Sequence, residues 1–206
     1  ALDSKFEPAW FVKAQVLDIL GRLEEALKCY DEAIALLPTD AKEKRYDEHG
    51  RYYFFDRWYG KAYLLSELGR HEEALKCYDK ALEICPLRAK LLERPLSKKG
   101  ITLAKLGRHE EALKCYDEAT KKDSYQWSGL DPVEMNLAKA DALSELGKQY
   151  EKMLKCYSDA ISRCAKELVD GKMEGDLWKE GVKKLQEICS QAINGSKKYD
   201  SKIIDE

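Results

Sequence analysis

Residues 67–82 read ELGRHEEALKCYDKAL, and nearly the same wording returns at 19–34 (ILGRLEEALKCYDEAI), at 105–120 (KLGRHEEALKCYDEAT) and, more loosely, at 145–161 (ELGKQYEKMLKCYSDAI). Self-similarity of this kind marks a chain built from stacked copies of one supersecondary unit, none of which can bury its apolar face alone. The shared glycines, Gly21, Gly69, Gly107 and Gly147, fall at intervals of 48, 38 and 40 residues. On either side of each glycine the apolar residues recur at helical spacing: Trp58, Ala62, Leu65 and Leu68 before Gly69, then Ala74, Tyr78, Ala81 and Leu82 after it. Each copy therefore predicts two short amphipathic helices that meet at a glycine, which takes the left-handed backbone ending the first helix at little steric cost. Pro38 and Pro86 close two of the copies.

Trp58, Lys61, Ala62, Leu65, Gly69, Ala74, Tyr78, Ala81 and Pro86 resemble the tetratricopeptide repeat (TPR) signature, and Trp10, Ala14, Leu17, Gly21, Ala26, Tyr30, Ala33 and Pro38 match it equally well. A third copy keeps Gly100, Leu103, Gly107, Ala112, Tyr116 and Ala119, with Leu96 in the tryptophan position and Ser124 in the proline position. The fourth fits through Ala140, Leu143, Gly147, Tyr157 and Ala160 once one residue is inserted in the turn, and it carries Met153 in place of the small alanine. The resemblance implies an all-α fold: a right-handed α-solenoid of four TPR-like helix pairs with an insertion after the first repeat and a C-terminal capping helix. The expected layout is a solenoid over residues 1–194, with repeats at about 5–38, 47–86, 94–122 and 131–168 and a capping helix at about 176–194, followed by a frayed tail over 195–206.

A family repeat is about 34 residues long, so the three intervals carry roughly 14, 4 and 6 extra residues. The largest addition, residues 39–57, lies between Pro38 and Trp58. There Asp40 and Glu43 suggest a helix start and Tyr46, Tyr52, Tyr53, Phe54 and Phe55 crowd together, so longer or additional helix is expected. The stretch KKDSYQWSGLDP ends with Asp131 as N-cap and Pro132 at the first helical position, and Glu134 completes a capping box. Within DLWKEGVKKLQEICSQAI, Leu177, Gly181, Leu185 and Ile188 share one stripe, the pattern of a helix that covers the apolar face left by a last repeat. At the other end Ala1 to Ser4 resemble the closing residues of a preceding repeat, as in a piece of a longer array.

Composition narrows the function classes. In 206 residues, 44% are hydrophobic, enough to build a continuous core. A net charge of -2, from 36 basic and 38 acidic residues, supplies no broad positive field for nucleic acid or an anionic membrane. No apolar run approaches the roughly 20 residues that cross a bilayer. Seven cysteines without a CxxC pair suit a reducing compartment better than a disulfide framework or a zinc module. The expectation is a soluble, cytoplasmic protein that binds neither nucleic acid nor membrane.

No residue constellation points to catalysis, a metal or a cofactor. Cys29, Cys77, Cys115 and Cys156 hold one place in their repeats, but equivalent positions on stacked helices sit about 8–10 Å apart, beyond the roughly 4.4–6.8 Å between disulfide-linked Cα atoms. They read as small residues flanking a buried stripe. His71 and His109 recur in the turns and read as solvated, and His49 lies in the insertion; none has a thiol or carboxylate at ligand spacing. Glutamates pair with lysines one turn on, as Glu24 with Lys28, Glu72 with Lys76 and Glu110 with Lys114, which marks exposed helix faces. No glycine-rich phosphate motif is present.

What remains is a groove. In the family the first helices of successive pairs line a concave surface, which implies a stripe here of Phe11, Gln15 and Asp18, then Tyr59, Tyr63 and Ser66, then Ser97, Ile101 and Ala104, then Leu137, Asp141 and Ser144, with Arg94, Lys98 and Lys105 beside it. Aromatics next to cations suit a peptide or protein ligand with an apolar anchor and an acidic group. The other reading is that Tyr59 and Tyr63 pack against the aromatic insertion while the basic residues are solvated. Members that grip acidic C-terminal peptides of chaperones use five polar positions, which correspond here to Phe11, Gln15, Gly60, Arg94 and Lys98. Only the last two are basic, so most of that clamp is missing. The function expected is a protein–protein or protein–peptide adaptor or scaffold, with no enzymatic activity. The alternatives are the recognition domain of a larger enzyme or signalling protein, and a self-associating scaffold whose contact lies at an uncovered end or at the aromatic insertion.

Overall fold

The computed structural model describes residues 7–37, 48–84, 89–120, 132–147, 150–169, 183 and 186–197. Every regular element among them is a helix: α1 (Glu7–Ile19), α2 (Leu23–Ala35), α3 (Glu48–Glu67), α4 (His71–Ile84), α5 (Ala89–Lys105), α6 (His109–Thr120), α7 (Pro132–Leu146), α8 (Tyr150–Val169) and α9 (residues 186–197). None is long and apolar enough to cross a membrane. The helices form two compact units, Ala1–Leu106 and Gly107–Glu206.

The repeat glycines break the helices as their positions predict. Gly21, Gly69, Gly107 and Gly147 have φ of 71°, 76°, 75° and 62°, the left-handed region in which a side chain is strained. At Gly21 and Gly69 the next residue donates its N–H to the carbonyl four residues before the glycine, Arg22 to Leu17 and Arg70 to Leu65, which satisfies a helix-end acceptor. The following helix starts at once because the same arginines chelate a glutamate three residues on. Arg22, Arg70 and Arg108 hold Glu25, Glu73 and Glu111 through paired bonds of 2.6–2.7 Å. These exposed pairs, not foreseen from the spacing, place a carboxylate in the positively polarised first helical turn.

In unit 1, α1 packs on α2 and α3 on α4, while α2 and α4 each pack on the first helix of the next pair. One core cluster joins Ala14, Leu17, Ala26, Cys29, Tyr30 and Leu64, and another joins Leu27, Ala62, Leu65, Ala74, Cys77 and Tyr78. In unit 2, α7 packs on both α6 and α8. Met153, fully buried with Ala140, Leu143 and Tyr157, fills the site an alanine has in the other copies.

Several boundaries differ from the expected ones. The first helix of the second pair is 20 residues long, and its start at Glu48 brings Phe54 and Phe55 into the core; the proposed start near Asp40 and Glu43 lies outside the described residues. Helix α5 begins at Ala89, upstream of the expected 94, and carries Pro95 inside it. Pro132 opens α7 as its fixed φ favours, whereas the loop before it and Asp131 lie outside the described residues. The break expected at 195 is absent: α9 runs through Gly195 to residue 197, because Gly195 is buried against Tyr157 and its carbonyl accepts a bond from Ser144 Oγ at 3.1 Å. Ile188 of α9 is buried against Val133, Ala160 and Cys164; Leu177, Gly181 and Leu185, expected on the same stripe, lie outside the described residues.

Candidate groove and its surroundings

In unit 1 the first helices α1, α3 and α5 carry five of the expected groove residues, Phe11, Tyr59, Tyr63, Arg94 and Lys98, in aromatic and cation–aromatic contacts. Phe11 meets the edge of the Tyr30 ring, with centroids 5.9 Å apart and planes at 74°. The Arg57 guanidinium lies 3.8 Å from the Phe11 ring centroid, and the residue is 2% exposed. Tyr59 stacks on Phe55 at 5.7 Å with planes 10° apart and leans on Tyr78 at 6.1 Å. From α5, Arg94 lies 5.3 Å above the Tyr59 ring and Lys98 Nζ 5.8 Å above Tyr63. Arg94 and Lys98 are one turn apart, as are Tyr59 and Tyr63, so the two cation–aromatic contacts repeat along neighbouring helices.

The electrostatics follow from this layering. Burial pushes the Tyr59 phenol up, while the charge of Arg94 and its hydrogen bond oppose the shift. Asp18 is raised by burial and then by the Glu67 carboxylate. Gln15 and Lys105 are exposed and Ile101 is half-buried.

Both expectations for Tyr59 and Tyr63 have a counterpart. Tyr59 does pack on Phe55 of the aromatic stretch, whereas Tyr63 packs against the cluster around Tyr30 and Leu64. The basic residues beside them are stacked on rings. Three serines of the expected stripe are different: Ser66, Ser97 and Ser144 are buried. Ser66 Oγ lies 3.1 Å from Thr102 Oγ1, and Ser144 is held by Gly195, so these hydroxyls serve packing. Leu137, in unit 2, is partly buried between two core clusters, one containing Ile188 and the other Tyr157, and Asp141 accepts the Tyr157 hydroxyl at 2.8 Å. His71 and His109 are half-buried at the starts of α4 and α6, not fully solvated.

Arg57 was not legible as a member of this surface. It is one of several charges on a 20-residue helix whose aromatic residues face more than one way, and nothing in the sequence marks which arginine turns inward. A concavity on the second-helix side of unit 2 was also missed. It is about 620 Å³, floored by Leu113, Leu143 and Cys156 and crossed by the Lys139–Asp117 ion pair at 2.7 Å. Burial pushes the Cys156 thiol up, with Lys139 opposing. Among the described residues no group of acidic, histidine or cysteine side chains is arranged to hold a metal ion.

Three TPR family models match the sequence, at residues 8–40, 57–121 and 97–151, which together span more than half of the chain. No curated protein sequence matches. Among solved structures, the fold is similar to that of MamA, at 13% identity over 80% of this chain and 82% of MamA, with a TM-score of 0.60. It is similar to YrrB, described as a TPR protein with an unusual peptide-binding site, at 19% identity over 94% of this chain and 88% of YrrB, with a TM-score of 0.52. A Podosopora anserina putative kinesin light chain with nearly identical TPR-like repeats is similar at 15% identity over 95% and 97% of the two chains, with a TM-score of 0.57. These identities carry a likeness of fold, while the repeat motifs, the helix-ending glycines and the family matches carry the assignment: this chain belongs to the tetratricopeptide repeat family.

Proposed function

We propose that the chain is a protein-binding adaptor whose ligand is a peptide segment with an apolar anchor and an acidic group, held on the surface formed by α1, α3 and α5. The observation that carries this reading is the double stacking of Arg94 on Tyr59 and Lys98 on Tyr63. A ring fixes each cation at low conformational cost, the guanidinium of Arg94 has more N–H groups than its one bond to Tyr59 uses, and tyrosine with arginine is the mixture enriched at binding hot spots. Phe11, Gln15, Ile101 and Lys105 extend the surface. Leu137 is drawn into the core of unit 2 and is not part of this surface. YrrB's described peptide-binding site is consistent with a peptide ligand on this fold.

Peptide display on the intact chain tests the reading. Enriched peptides should combine an aromatic or aliphatic residue with acidic residues, and a folded Tyr63→Ala, Lys98→Glu double variant should fail to enrich them. Enrichment of basic or uncharged peptides, or equal enrichment by the variant, contradicts it.

A further inference from the structure

In unit 1 the ring of Trp58 has a built seat. It packs, with Leu68 beside it, on a cluster that contains Leu27, Leu65 and Cys77, all three of them buried. Lys61, three residues on, lies 5.9 Å from the Trp58 ring centroid while its ammonium also reaches Asp31 at 2.5 Å. Lys13 stands in the same way 5.0 Å from Trp10, so in both copies a lysine one turn on attends the ring. Beside the Trp58 seat, the Glu73 carboxylate feels the charge of Lys61 and is held by Arg70 through paired bonds.

The corresponding positions of unit 2 are Leu113, Leu143, Leu146 and Cys156, and they line the concavity of about 620 Å³. Counted back from the repeat glycines Gly69 and Gly147, the place of Trp58 belongs to Asn136. No aromatic side chain is among the described residues that line the space. The floor is uncovered as a result. Leu143 stays buried, but Leu113 and Cys156 are only half-buried, whereas their counterparts Leu27 and Cys77 are sealed. Lys139, the counterpart of Lys61, reaches Asp117 at 2.7 Å, and Lys61 shows that a lysine bound in this way still faces a ring. A second departure lies beside the first. With the one-residue insertion in the turn, Lys152 stands where the other copies have Glu25, Glu73 and Glu111. The lining therefore carries four lysines against three carboxylates, where a glutamate at 152 would reverse that balance.

We propose that this vacated seat binds a tryptophan side chain from a peptide segment of a partner protein, with an acidic residue next to the tryptophan. The indole enters over Asn136, lies on Leu113, Leu143 and Cys156, and faces Lys139 as Trp58 faces Lys61. The neighbouring carboxylate takes Lys152, the charge that this copy alone places there. The volume is that of a ligand pocket and exceeds one indole, so residues flanking the tryptophan have room, which favours a peptide over a free indole. The opening owes nothing to a chain end, since α6, α7 and α8 all contribute to its walls. It shares no residue with the surface of Tyr59, Tyr63, Arg94 and Lys98, so the two readings stand or fall separately.

The probe is the acetylated and amidated peptide Gly-Glu-Trp-Glu-Gly, titrated into the intact isotope-labelled chain and followed by NMR. Binding should saturate with a Kd below about 1 mM. The peptide should also slow modification of Cys156 by N-ethylmaleimide, mapped by mass spectrometry, while leaving the exposed Cys189 unprotected. Asn136→Trp returns a ring to the seat and should abolish binding without lowering Tm. Lys152→Glu, an exposed charge reversal that leaves the fold intact, should weaken binding by about threefold or more. Absence of saturation, equal binding of a peptide with alanine for tryptophan, or indifference to Asn136→Trp overturns the proposal, and indifference to Lys152→Glu overturns the acidic flank. N-acetyltryptophanamide binding as tightly as the peptide overturns the peptide assignment in favour of a small indole. Trp127 and Trp178 lie outside the described residues. A chain that binds the probe only after Trp127→Ala or Trp178→Ala would have its own tryptophan in the seat, which also overturns the proposal.

Discussion

Tyr30 of α2 lies so close over Gly60 of α3 that a Cβ added at residue 60 would sit 2.5 Å from the tyrosine oxygen and 2.6 Å from the carbon that bears it. The glycine is thus the shape on which the first pair seats against the second. Tyr30 is enclosed by Ala14, Leu17, Ala26 and Leu64, so its ring cannot swing aside cheaply. Gly60→Ala should therefore destabilise the chain by about 1–3 kcal/mol, the usual cost of overpacking. A urea midpoint unchanged by that substitution contradicts the account. Tyr157 and Gly195 repeat the relationship in unit 2, with a would-be Cβ 2.6 Å from the hydroxyl oxygen, and Gly195→Ala should act in the same direction.

Thr102 is the centre of a buried polar node. Its hydroxyl donates to the Lys98 carbonyl at 2.9 Å, lies 3.1 Å from Ser66 Oγ and is hydrogen-bonded to the Tyr78 phenol. Thr102→Val keeps the shape but strands two buried hydroxyls, at a cost of about 1–3 kcal/mol. Thr102→Ser retains the hydroxyl and should lose less. Chemical denaturation of the two variants side by side decides the point, since a Thr102→Val chain that loses nothing, or less than Thr102→Ser, would mean the methyl group matters and the node does not.

The Lys99–Asp79 pair joins α5 to α4 but leaves the aspartate 60% exposed. Solvent screens a pair of that kind, so Asp79→Asn should cost no more than about 0.2–1 kcal/mol, and the difference should shrink in high salt. A larger, salt-independent loss in thermal denaturation would show that the lysine–aspartate joints hold the pairs together more strongly than this account allows.

Stability should fail at the alkaline end through the core tyrosines. Burial pushes the Tyr30 phenol up to about 12 and raises those of Tyr78, Tyr116 and Tyr157 as well, the last also through its bond to Asp141. An unfolded tyrosine ionises near pH 10. Because the folded-state values are higher, the stabilisation is fully present below about pH 10 and is lost as pH rises through the folded values. Denaturant midpoints should fall above about pH 10, and tyrosinate absorbance should show these residues ionising together with unfolding. Their ionisation in the folded chain near pH 10 contradicts the prediction.

The helix pairs were legible because their determinants repeat. A glycine that must be left-handed, a tyrosine with small residues around it and a helical apolar period recur in each copy, and Gly21, Gly69, Gly107 and Gly147 each do the same work. The contacts of the candidate surface were legible only in outline. Tyr59, Tyr63, Arg94 and Lys98 follow from register, but stacking of the cations on the rings depends on how α5 lies against α3. Arg57 and Leu137 depend on local packing that no period encodes. Val16 and Leu64 show the limit most simply. They hold the same place in their repeats, yet one is half exposed and the other sealed, because exposure depends on the neighbouring helix.

The central claim, that the chain works as an adaptor through its groove, is tested most directly by recovering partners from source-cell lysate with the wild type and with the folded Tyr63→Ala, Lys98→Glu double variant, and comparing them by mass spectrometry. The account predicts a partner held by the wild type and lost by the variant. A partner retained equally by both would contradict it and move binding away from the surface of Tyr59, Tyr63, Arg94 and Lys98.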